Sequence, residues 1–82
     1  MNAAEVQAVI TAGLPDAQVL VESDDDTHFV ARIVASQFAG KRMIARHQLV
    51  YATLGAKMGR EIHALSIEAY TPEEAKNLGS SR

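Results

Sequence analysis

Eighty-two residues, 48% apolar and 22% charged, describe one globular domain with a single core. A net charge of −2 argues against a surface built for indiscriminate nucleic-acid binding, and the lack of cysteine excludes disulfides and any metal centre made from the chain's own thiolates. No run approaches the ~18 apolar residues that would cross a bilayer, and the start MNAAEV has no basic segment leading into an apolar one, so a soluble cytoplasmic protein is expected.

Asn2 with Glu5 three positions on has the spacing of a helix-capping box. Val6, Val9, Ile10 and Leu14 then form an apolar stripe, and Gly13 and Pro15 stop it, which predicts a helix over 3–13. Residues 17–22 and 29–35 are β-rich, and the polar SDDDTH between them predicts a hairpin. In the second strand Phe29, Ala31 and Ile33 share one face, while Val30, Arg32 and Val34 share the other.

Residues 36–40 read as a connector closed by Gly40. From there Met43, His47, Val50, Leu54 and Met58 fall in one row of a 3.6-residue period, predicting a helix over 42–57. After Gly59 the period drops to two. His63, Leu65, Ile67 and Ala69 alternate with Ile62, Ala64, Ser66 and Glu68, as in a half-buried strand over 61–69. Thr71-Pro72-Glu73-Glu74 is a helix start, and the last helix is expected to fade into a flexible tail, 79–82, leaving 1–78 as one domain.

The order is α-β-β-α-β-α. A helix-containing connection lets the second and third strands lie parallel, which predicts an α+β fold with a three-stranded mixed sheet and helices on one face. Parallel strands begin at the same edge of a sheet, and His28 and His63 each stand at such a beginning.

Charge is unevenly placed. Residues 41–60 hold Lys41, Arg42, Arg46, Lys57 and Arg60 without an acid, whereas Glu22, Asp24, Asp25 and Asp26 cluster around the hairpin. The stretch is either one solvated face of two with opposite sign or a cationic patch for an acidic partner, a phosphate or a carboxylate. Enzymatic signatures are missing: there is no cysteine nucleophile, no Gly-rich phosphate loop and no HExxH spacing, and Ser23, Ser36 and Ser66 have no triad context. Asp24–Asp26 lack the spacing of a calcium loop and read as a solvated turn.

Phe38-x-Gly40, Arg46-His47, Val50, Leu54, Ile62-His63-Ala64-Leu65 and Thr71-Pro72, with Thr27-His28-Phe29, hold together over nearly the whole chain. In this the sequence resembles the BolA family, most closely its small bacterial members. The resemblance implies a class II KH-like fold and a monothiol glutaredoxin partner, with which a [2Fe–2S] cluster is shared with the help of glutathione, in iron–sulfur homeostasis and stress response. It implies His63 as a ligand on this side. The family's second ligand, a His or Cys in the loop between the first two strands, has no counterpart in Ser23-Asp24-Asp25-Asp26-Thr27, so His28 is the remaining candidate.

Lys41, Arg42, Arg46 and His47 are the expected partner contacts, although His47, lying in the helical row, also reads as a packing residue. The isolated chain is expected to bind no cofactor and to be a monomer, with a weak homodimer as the alternative. The competing expectation is a DNA-binding transcriptional regulator acting through Lys41, Arg42, Arg46 and Lys57 on the basic helix. Where KH modules carry GXXG, this chain has Ala39-Gly40-Lys41-Arg42-Met43, with one glycine.

Overall fold

The capping box at Asn2 forms in full: Asn2 Oδ1 accepts the Glu5 N–H at 2.9 Å, and Glu5 Oε1 accepts the Asn2 N–H at 2.9 Å. It starts helix α1 (Ala3–Gly13), whose Val6 and Ile10 are fully buried. The structure, a computed structural model, describes residues 1–62 and 64–80; the expected ligand His63 and the last two residues of the expected tail lie outside the described residues.

Strands β1 (Gln18–Glu22) and β2 (His28–Val34) pair antiparallel from Gln18↔Val34 to Glu22↔Val30, as the polar loop between them predicts. Strand β3 (Ala64–Tyr70) joins β2 in parallel, from His28↔Ala64 to Val34↔Tyr70, giving the order β1-β2-β3. This register lines Val19, Ile33 and Ala69 into one row, and Val21, Ala31 and Ile67 into the next. With Phe29 and Leu65 these rows form the covered face, and Phe29, Ala31, Ile33 and Ala69 are almost wholly buried.

Helix α1 packs against β1 and against the second long helix, α2 (Met43–Leu54), which also touches β3. Gly13 allows the close approach of the two helices: a Cβ there would stand 2.5 Å from Thr53 Cγ2. The Gln7 side chain fastens α1 to the sheet edge, its Oε1 accepting the Val21 N–H at 3.1 Å.

Three boundaries differ from the sequence reading. Helix α2 ends at Leu54, and a 3₁₀ turn, Gly55–Lys57, follows. Gly55 takes a positive φ of 53°, which breaks the helical path before Met58, and Gly59 follows with a φ of 87°. Strand pairing then begins at Ala64, because residues 59–62 wrap around the Lys57 carbonyl, which accepts the N–H groups of Arg60, Glu61 and Ile62 at 3.2, 2.9 and 3.0 Å. The third helix, α3 (Pro72–Ser80), takes in Gly79 and Ser80, which the sequence assigns to the tail. Its start is a second capping box, with the Thr71 N–H on Glu74 Oε1 at 2.9 Å and the Glu74 N–H on Thr71 Oγ1 at 3.2 Å.

The row that α2 buries also differs. Arg46, Val50 and Leu54 face the core, whereas Met43 is 50% exposed. Among the described residues no helix is long and apolar enough to cross a membrane.

Candidate functional site

The hairpin loop is built by side chains that bond to its own backbone, as short Ser and Asp side chains do readily. The Ser23 hydroxyl donates to the His28 carbonyl at 2.6 Å and accepts the Asp26 N–H at 3.0 Å. Asp25 Oδ1 accepts the N–H groups of Thr27 and His28 at 2.9 and 2.8 Å. Asp26 takes a φ of 57°, a left-handed conformation that Asp tolerates.

The second carboxylate oxygen of Asp25 lies 2.9 Å from His28 Nδ1. The His28 N–H, its imidazole and the Thr27 N–H together hold the Asp25 carboxyl well below the usual carboxylate range. An ionised carboxylate only accepts, so Nδ1 carries the proton and Nε2 of the neutral ring keeps its lone pair. The His28 side chain is 75% exposed, and among the described residues Nε2 has no hydrogen-bond partner. What results is a solvent-facing imidazole with one nitrogen anchored and the other available.

The expected meeting of two histidines rests here on backbone register alone. His28 pairs with Ala64, the residue that follows His63 in the chain. Among the described residues no group of three or more His, Cys, Asp or Glu side chains converges on a metal position. This rim offers imidazole and carboxylate but no thiolate, so the thiolate ligands of a cluster held there would have to come from another molecule.

The basic stretch does not form one patch. Arg46 Nε donates to the Lys41 carbonyl at 2.9 Å and Nη1 to the Ala69 carbonyl at 3.1 Å, which ties Lys41 to the far end of β3. Ala69 is five strand residues from Ala64, roughly 17 Å at ~3.3 Å per residue. Lys41 and Arg42, both exposed, therefore sit at the opposite end of the sheet from His28, while Lys57 lies in the loop that leads to Ala64. His47 is half-buried on α2.

Arg46 is only 6% exposed, which corrects its reading as a surface contact for a partner or DNA. Its guanidinium forks onto the Glu74 carboxylate, Nη1–Oε1 at 2.6 Å and Nη2–Oε2 at 3.1 Å, and lies 5.9 Å from the centre of the Phe38 ring. Hydrogen bonds from Arg46 bring the Glu74 carboxyl down to about 2, with help from the Thr71 N–H, and the same pair raises Arg46 further. Arg46 thus joins α2, β3 and α3. A 3.6-residue period cannot show that a charged residue fills a core position, because its acidic partner lies 28 residues away. The Asp25–His28 pair was also missed, although its signal is local: an acid three residues before a histidine in a tight turn.

The family model described as BolA-like protein matches residues 9–74. A protein of Acinetobacter guillouiae described by its place in the rpoN-murA intergenic region is 43% identical over 75 residues, covering 90% of this chain and 89% of its own length. The DNA-binding transcriptional regulator BolA of Vibrio cholerae is 38% identical over 68 residues, covering 74% of this chain and 64% of that protein. Among solved structures, a BolA protein homologue from Coxiella burnetii superposes with a TM-score of 0.84 at 36% identity, covering 93% of this chain and 97% of the other.

Proposed function

The chain belongs to the BolA family, and from that premise we propose that it is an adaptor that binds a monothiol glutaredoxin and helps to hold a [2Fe–2S] cluster for delivery or sensing. The observation that carries this reading is the exposed, singly anchored imidazole of His28 in a chain without a cysteine. A protein of this composition takes part in iron–sulfur chemistry by adding imidazole to thiolates that belong to the glutaredoxin and to glutathione. Mixed imidazole–thiolate ligation raises the potential of a cluster.

In this reading His63 is the first ligand and His28 the second. Each ring would bind through the lone pair of a neutral imidazole nitrogen. Lys57 and Arg60, in the turn that leads into β3, are cations at the same end of the sheet as His28, and Lys41 and Arg42 lie at the other end. Adding the chain to a cluster-loaded monothiol glutaredoxin should change the visible circular dichroism of the cluster, and His63→Ala should abolish that change. A spectrum that His63→Ala leaves as it is in the wild type would defeat the ligand assignment.

A second reading, DNA binding, draws on the name carried by the Vibrio cholerae relative. Its candidate contacts are Lys41, Arg42 and, at the other end of α2, Lys57; Arg46 drops out because it is engaged with Glu74. A regulator should bind a promoter fragment in the presence of competitor DNA at physiological salt, and Lys41→Ala with Arg42→Ala should weaken it. Binding that is blind to sequence and vanishes with salt would count against this reading.

A further inference from the structure

We propose that Asp25 is a positioning residue for His28, fixing the tautomer that leaves Nε2 as the metal-binding nitrogen. The inference rests on the adaptor reading and adds to it a residue that is not itself a ligand. Imidazole ligands in metal sites commonly donate their second ring N–H to a carboxylate, which sets the tautomer, fixes the ring plane and strengthens the donor nitrogen. His28 has this arrangement, with Nδ1 2.9 Å from Asp25 Oδ2.

The carboxylate is itself held in place. Its other oxygen takes the backbone N–H groups of Thr27 and His28, so the residue being oriented also anchors the group that orients it. Ser23 completes the frame by donating to the His28 carbonyl at 2.6 Å. An exposed imidazole without such a frame would rotate freely and divide its proton between two nitrogens. Here the ring is bonded to a carboxylate that the loop's own backbone holds.

A purely structural role for Asp25 makes a different prediction, and Asp25→Asn separates the two. The substitution keeps one carbonyl oxygen for the backbone N–H groups, so the loop should survive. It places an NH₂ donor opposite Nδ1, so the ring must accept there and carry its proton on Nε2, where the lone pair was needed. In mildly alkaline solution, ¹⁵N spectra of the labelled chain should show Nδ1 protonated in the wild type and Nε2 protonated in Asp25→Asn. Backbone amide shifts outside the loop should match. The affinity for cluster-loaded monothiol glutaredoxin, followed by visible circular dichroism, should fall by about 10–100-fold in Asp25→Asn. His28→Ala should weaken binding at least as much.

An unchanged tautomer in Asp25→Asn overturns the inference, and so does a reversed tautomer with wild-type affinity. A wild-type chain that leaves the glutaredoxin spectrum untouched defeats the adaptor reading and this inference with it. A wild type that binds, beside an Asp25→Asn variant that binds equally well, defeats the inference alone.

Discussion

The Arg46 guanidinium reaches three parts of the chain at once: the carbonyl of Lys41 before its own helix, the carbonyl of Ala69 near the end of β3, and the carboxylate of Glu74 in α3. Lysine offers a single ammonium in place of the planar fork and cannot reproduce the two-point contact with Glu74. Arg46→Lys should therefore lower the thermal midpoint, while Lys41→Ala, at an exposed position, should leave it nearly unchanged; calorimetry on both variants checks this. Glu74 gives the pair a pH signature. Its carboxyl falls from an ordinary 4.5 to about 2 on folding, so its contribution is complete above pH ~4.5 and is lost as the pH falls toward 2. Glu74→Gln should remove that part of the acid-unfolding curve and bring the wild-type and variant stabilities together near pH 2. At the apolar centre Phe29 is 1% exposed, and Phe29→Ala should cost about 3–5 kcal/mol in urea unfolding.

Helix α1 owes its start to Asn2 and its fit to Gly13. Asn2→Ala removes the acceptor for the Glu5 N–H and should cost about 1 kcal/mol. Gly13→Ala favours the helix locally, yet its new methyl group would press on Thr53 of α2, whose Cγ2 and Cβ stand 2.5 and 2.7 Å from the added carbon. The clash should prevail, with a loss of about 1–3 kcal/mol. Thr53→Ala removes the nearer contact and leaves the other, so a double-mutant cycle should show partial recovery. The same small-residue contact sets how closely α1 and α2 lie over the face that carries Phe29 and Ile33. The cap of α3 is different in kind, because Glu74 closes the capping box and also grips Arg46. Loss of that one side chain should loosen the helix start and the helix docking together.

Across the whole molecule, β2 and β3 act as a ruler between two ends. His28 and Lys57 lie toward the end where the parallel strands begin; Lys41 and Arg42 lie toward the end where they stop. The separation, roughly 17 Å along β3, exceeds the screening length of ~8 Å at physiological salt. Charge reversal at Lys57 should therefore slow association with cluster-loaded glutaredoxin in a salt-dependent way, and Lys41→Glu should leave the association rate near that of the wild type. Stopped-flow measurement at two salt concentrations checks the pair. Equal effects at both positions would mean that the partner spans the full length of α2.

The sequence by itself determined the element order, the hairpin, both capping boxes, the parallel pairing of β2 with β3 and the family. These depend on local periodicity, on caps and turns within a few residues, and on the length of a connection. Tertiary structure alone decided that Arg46 belongs to the core, that α2 stops at Leu54, and that the cations of residues 41–60 divide between two ends of a sheet. Of these, the stop at Leu54 comes from the backbone conformation that Gly55 adopts in the fold. The first and last depend on groups far apart in the chain or on the direction in which a helix axis carries its side chains. A one-dimensional charge run records neither. The Asp25–His28 pair lies between the two cases: its spacing is local, but only the folded loop brings Oδ2 to Nδ1 and leaves Nε2 facing solvent.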